Sequence, residues 1–113
     1  MKLTDIQRNG FYVAKVNRAM SVVRVREIDE YNHQVVFENV KTGRIIRGHF
    51  TRLRCPVHPQ HVSQAAEYVV MGQWFVLCAN CGRILHFNPE VGRYCHEDGV
   101  EDCPKAKAFV VRC

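Results

Sequence analysis

The 113-residue sequence has no apolar run of about 18 residues or more, the length a helix needs to cross a bilayer. Its start, Met1 to Gly10, carries a charge near the end but no apolar stretch behind it, so a non-exported, cytoplasmic protein is expected. The 7 glycines fall in neither G-x-G-x-x-G nor Walker spacing, which removes the usual phosphate-cradling loops. There is no His-x-Glu ahead of a Pro-Cys-x2-Cys, because Leu77 precedes the only Cys-x2-Cys pair; that excludes a nucleobase deaminase. Internal repeats and low-complexity tracts are also missing. A hydrophobic fraction of 47% against 24% charged residues excludes wholesale disorder.

What is present divides unevenly along the chain. Residues 1–54 hold 11 Lys and Arg against 5 Asp and Glu, a net of +6, whereas residues 55–113 hold 5 against 6, a net of −1. The 6 cysteines lie wholly in the second part. In a reducing compartment cysteines are metal ligands more readily than disulfide partners. Two modules are therefore expected: a basic β module over 1–54, and a linking helix plus zinc-binding module over 55–113.

Short strands separated by turn chemistry fill the first module. Phe11 to Val16 is followed by Asn17-Arg18, then by Ser21 to Ile28, in which Val23 and Val25 alternate with Arg24 and Arg26. Asp29 to Asn32 reads as a polar turn, His33 to Val40 as a strand, Lys41-Thr42-Gly43 as a tight turn and Arg44 to Arg47 as the return. Phe50 to Arg54 closes the set. The expected fold class is mainly β, with a small SH3-like barrel or curled antiparallel sheet, since closure removes open edges.

Pro56 and Pro59 break the strand pattern and mark the module boundary at 54/55. A linking helix over 64–71 follows, with Ser63 as its cap, Gly72 at the position after its end, and Ala66, Val69 and Val70 as its buried stripe. Gln73 to Leu77 reads as a strand running into Cys78-Ala79-Asn80-Cys81-Gly82-Arg83, Ile84 to Phe87 as the strand leaving it, and Ala108 to Val111 as a last strand.

Cys78 and Cys81 suit zinc for a geometric reason. A turn with cysteines three positions apart aims both sulfurs at one point roughly 2.3 Å away, and a glycine after it relieves crowding where the chain reverses. A closed tetrahedral site needs two more ligands; Cys95 is the expected third and Cys103 the fourth, with His96 behind it. A rival set pairs Cys55-x2-His58 with Cys78-x2-Cys81, and both sets together would hold two ions. Cys113 is expected to be a free terminal thiol, and His33, His49 and His86 ordinary sheet or turn residues.

Cys78-x2-Cys81-Gly82-Arg83-x-Leu85, followed by Gly92-Arg93-Tyr94-Cys95, resembles the short zinc-ribbon or treble-clef modules of uncharacterised bacterial and phage proteins. The resemblance covers about residues 78–95 and implies a structural Zn2+. Cys-x2-Cys-Gly followed by His86-x2-Pro89 is also faintly similar to zinc-bearing HNH-type nucleases. The acidic residue expected before that histidine is here Leu85, and a second Cys-x2-Cys is missing. The acidic run Glu97, Asp98, Glu101 and Asp102 reads as a solvated loop rather than as catalytic carboxylates.

Arg24, Arg26, Arg44, Arg47, Arg52 and Arg54 fall on strands or strand ends of the first module. Guanidinium forks match phosphate oxygens, and a basic sheet face is a platform for nucleic acid. Tyr12, Tyr31 and Phe50 could add stacking surfaces. The expectation is a non-enzymatic zinc protein that binds nucleic acid, DNA or RNA, or a nucleic-acid-associated complex, with no small-molecule substrate. An acidic protein surface would use the same charge; the alternative is an interaction module such as a phage-encoded inhibitor or adaptor of a host nucleic-acid enzyme.

Overall fold

A computed structural model describes residues 2–97 and 106–112. Five strands, β1 (Phe11–Val16), β2 (Ala19–Asp29), β3 (Gln34–Asn39), β4 (Ile45–His49) and β5 (Leu53–Val57), form one antiparallel sheet in the order β4-β3-β2-β1-β5. The outer strands β4 and β5 do not pair, so the sheet stays open rather than closing into a barrel. β1 and β2 are joined by Asn17 and Arg18, both at positive φ (51° and 67°), the backbone sign of a two-residue primed turn that matches strand twist. Register shifts between Val25 and Glu27, where Arg26 is the extra residue, and between Val13 and Ala14 on the β5 side bend the sheet.

Both faces of the central strands are buried, which explains why Tyr12, Val13 and Ala14 run apolar without alternation. Tyr12, Ala14, Val23, Val25, Val35, Phe37 and Leu53 fill one side with Ile6. The Tyr12 hydroxyl accepts a hydrogen bond from the Gln7 backbone N–H at 2.8 Å, anchoring the N-terminal segment to that side. Val13, Val22, Cys55 and Val57 face the other way. There they meet Ala65, Ala66, Phe75, Leu77, Ile84 and Val111 in one cluster. The basic sheet and the cysteine-bearing segment thus share a core, and neither half holds all of it.

The prolines act differently from their reading in the sequence. β5 continues through Cys55-Pro56-Val57, so the boundary drawn at 54/55 falls inside a strand. Pro56 is tolerated because β5 is an edge strand, where a missing N–H interrupts no inner ladder. Pro59–His61 forms a 3-10 turn whose Gln60 N–H donates to His58 Nδ1, and this turn starts the helix early: α1 spans Val62–Met71. Ser63 consequently lies inside the first turn rather than capping it. Ala65 and Ala66 are the buried residues, while Val70 is 68% exposed. Gly72 does end α1 as expected, at φ 70°, with its N–H on the Tyr68 and Val69 carbonyls.

Beyond α1, β6 (Phe75–Cys78) is buried along its whole length and pairs with β9 (Ala108–Val111). β7 (His86–Asn88) and β8 (Arg93–Cys95) form a short hairpin. Gly92, at φ 69°, donates its N–H to the Asn88 carbonyl and closes the turn between them. No helix among the described residues is long and apolar enough to cross a membrane.

Candidate metal centre

β6 delivers Cys78 to the start of a tight turn with its side chain fully buried. The Cys78 carbonyl accepts from Gly82 N–H at 2.7 Å, and Cys78 N–H donates to the Arg83 carbonyl at 2.8 Å, so the turn is closed twice. Ala79 N–H reaches the Lys107 carbonyl at 2.7 Å, tying the same turn to the chain entering β9. Gly82 sits at φ 77° against β5 and accepts from His58 N–H through its carbonyl at 2.9 Å. The residue therefore needs left-handed freedom and the smallest possible profile.

Across from this turn, the hairpin β7–β8 brings up His96. Cys78, Cys81 and His96 place one ligand atom each within 4.8 Å of one another, and Cys81 Sγ lies 3.3 Å from His96 Nε2. Two sulfurs and an imidazole nitrogen make a soft, borderline donor set that favours zinc over hard, oxygen-seeking cations. Val76 and Leu85 pack beside Cys78, with Cys81, Tyr94 and Ala106 at the margin. That apolar lining covers the group on the Cys78 side, while Cys81 and His96 are half-buried.

The structure brings together two of the expected ligands, Cys78 and Cys81, and adds the histidine held in reserve. Cys95 lies outside the group, its Sγ 3.7 Å from the Arg93 carbonyl. Consecutive residues of an extended chain point to opposite sides, so a strand end that offers His96 to the site turns Cys95 away. Cys103 and Cys113 lie outside the described residues. Among the described residues, Cys55, Cys78, Cys81 and Cys95 form no disulfide.

Cys55, the head of the rival set, is buried on β5, with its thiol 3.9 Å from the Cys78 carbonyl. Burial, then the neighbouring Cys78 and Cys81 sulfurs, push its pKa up to about 12, so it stays protonated at neutral pH. It is a neighbour of the site rather than a member of the convergent group. His86 stands 3.4 Å from a Glu97 carboxylate oxygen on the exposed edge of the hairpin.

No family model, curated protein or solved structure matches this chain. What the site does must therefore be read from its own residues.

His61 has a structural role that its position in the sequence does not signal. Its Nδ1 accepts the Ile84 backbone N–H at 2.8 Å, which fastens the start of α1 to the strand leaving the knuckle. Burial holds its pKa below the ordinary 6.5. Only an unprotonated Nδ1 can accept. The neutral form is the folded one, and its contribution is present above the unfolded pKa and lost as pH falls. The stability difference between wild type and His61→Gln should shrink as pH drops from about 7.5 to about 5, in urea titrations. A difference that is flat over that range would remove His61 from the account.

The six arginines expected to form a basic face have separate surroundings. Arg26 pairs with Glu38 at 2.8 Å, and Arg24 donates to the Asn9 side-chain oxygen at 2.9 Å. Arg47 shares a recess with Glu27, Asp29 and Glu30. Its charge, after the Asn32 hydrogen bonds, helps hold the Asp29 carboxyl below its usual pKa. Arg44, Arg52 and Arg54 are exposed.

Proposed function

We propose that this chain is a non-enzymatic, cytoplasmic zinc-binding protein that engages nucleic acid through its basic N-terminal half. The observation that carries the metal part is the convergence of Cys78 and Cys81, from one turn, and His96, from the end of a separate hairpin, on one point beside an apolar cluster. Structural zinc sites are closed and four-coordinate, and Cys103, between His96 and β9 in the sequence, is our choice for the last ligand. The knuckle facing a hairpin supports a zinc-ribbon reading of this part. The order β4-β3-β2-β1-β5, with a 3-10 turn at Phe50–Arg52 leading into β5, supports an SH3-like reading of the rest.

The nucleic-acid part rests on the net +6 of residues 1–54, carried mostly by arginine. Its test is the salt dependence of binding to a labelled oligonucleotide. Each phosphate neutralised contributes about −0.7 to −0.9 to the slope of log K against log salt, so a real interface gives a slope of several units. Absent or salt-insensitive binding refutes the reading.

A second reading, a protein-interaction module, draws on the exposed apolar side chains at the end of α1 and just after it. Val70, Met71 and Trp74 are 68%, 64% and 57% exposed. It predicts a partner whose binding changes Trp74 fluorescence and survives loss of the arginines.

A further inference from the structure

The fold gathers four cations that the sequence scatters widely. Lys15 lies near the end of β1, Arg18 in the β1–β2 turn, Arg54 on β5 and Arg112 just after β9. All four are exposed, and together they line one recess with Met20, Phe109 and Val110. No carboxylate is among the described residues that line it. Among the described residues none of the four is in an ion pair or side-chain hydrogen bond, in contrast to Arg26 and Arg24. Arg54 also lines a second recess, where Lys107 and the Asp5 carboxylate are its charged companions.

We infer that this recess, at the seam between the five-stranded sheet and β9, is where a single nucleic-acid strand binds, with phosphates on the four cations and a base against the exposed Val110. The inference rests on the nucleic-acid reading above and moves its centre: of the six arginines on the sheet only Arg54 belongs to it. Four like charges in a recess that no described carboxylate lines repel one another, and a polyanion removes that repulsion while releasing its own condensed counterions. The apolar floor favours a strand with open bases over a duplex, because an unstacked base brings a face to lay on it. The recess, about 320 Å³, is at the small end of ligand pockets, roughly 300–1,000 Å³, and suits one nucleotide of a strand that continues outward.

Arg18 adds an independent observation. It occupies the second position of the turn at φ 67°, a place where glycine is strongly preferred. An arginine there accepts backbone strain in order to hold a charge at the recess rim.

The test uses the full zinc-loaded chain and a labelled single-stranded oligonucleotide of mixed sequence, followed by fluorescence anisotropy over a salt series. Arg18→Gly with Arg112→Gln removes two charges from the recess; Arg44→Gln with Arg52→Gln removes two from the exposed sheet edge. The recess pair should weaken binding by roughly 10-fold or more and lower the salt slope by about 1.4, while the charge-matched pair changes the affinity by less than about 3-fold. Arg18→Gly alone should unfold at the same temperature as wild type or higher, yet bind more weakly, a combination that a merely structural role for Arg18 does not give. Equal loss in both pairs, or greater loss in the sheet pair, overturns the recess while leaving the nucleic-acid reading in place. No binding by wild type overturns both. A polyglutamate peptide of matched charge that binds as tightly as the oligonucleotide assigns the recess to acidic protein instead.

Discussion

Stripping metal from this protein with a chelator should lower its melting midpoint by more than about 10 °C and unfold the region around the knuckle first. The apolar cluster beside the candidate ligands is thin, with Val76, Cys78 and Leu85 as its buried members. A hairpin as short as β7–β8 is marginal without support. In zinc-finger peptides the metal contributes about 10–16 kcal/mol, comparable with the whole stability of a small domain, so a segment with this little core depends on it. Hydrogen exchange gives the spatial readout. Amides of His86–Asn88 and Arg93–Cys95 should lose protection on chelation, while those of Val23, Val25, Val35 and Phe37, buried on the far side of the sheet, keep theirs. Elemental analysis should find about one zinc per chain, lost in Cys81→Ser and in His96→Ala but kept in Cys95→Ser. Protein purified without zinc that melts at the same temperature after zinc is added would show that the three side chains meet for packing alone.

How much of this was legible beforehand follows from the range of each signal. Turn chemistry and β-branched runs are local, and they located the strands of the sheet to within a few residues, together with Gly72 at the end of α1 and the strand that leads into Cys78. The knuckle was legible for the same reason, since two ligands and a glycine within five residues carry their own geometry. Pairings set by distant packing were not. Nothing near Pro56 says that β5 is an edge strand able to absorb a proline, so the strand was ended too soon. The choice of Cys95 as third ligand turns on which way one strand end faces, a property fixed by the β7–β8 register rather than by spacing. The recess of Lys15, Arg18, Arg54 and Arg112 has no linear signature whatever. A net charge indicates that a basic surface exists; only the fold indicates which cations it gathers into one recess.

Gly82→Ala should destabilise the folded chain by about 3 kcal/mol or more, combining the cost of a non-glycine residue in the left-handed region, about 1–2 kcal/mol, with that of forcing an atom into filled space, about 1–3 kcal/mol. A Cβ at this position would come within 2.6 Å of His58 N, 2.7 Å of the Pro56 carbonyl oxygen and 2.8 Å of its carbon. All three are backbone atoms, so no rotamer change relieves the clash. Relief requires β5 and the knuckle to separate, which also breaks the His58 to Gly82 hydrogen bond. Gly72→Ala supplies the control: its φ of 70° is nearly the same as that of Gly82, but nothing lies within 4 Å of the added atom, so it should cost only about 1 kcal/mol. The difference between the two variants in urea unfolding isolates the contact between β5 and the knuckle, and equal costs would mean that this contact holds nothing together. The form of the transition carries the second half of the argument. Val13, Val22 and Cys55 from the sheet share a cluster with Leu77, Ile84 and Val111 from the metal-bearing part, so Gly82→Ala should shift one cooperative transition as a whole. Two separated transitions, with only the second moved, would mean that the sheet and the metal segment fold as independent modules despite the core they share.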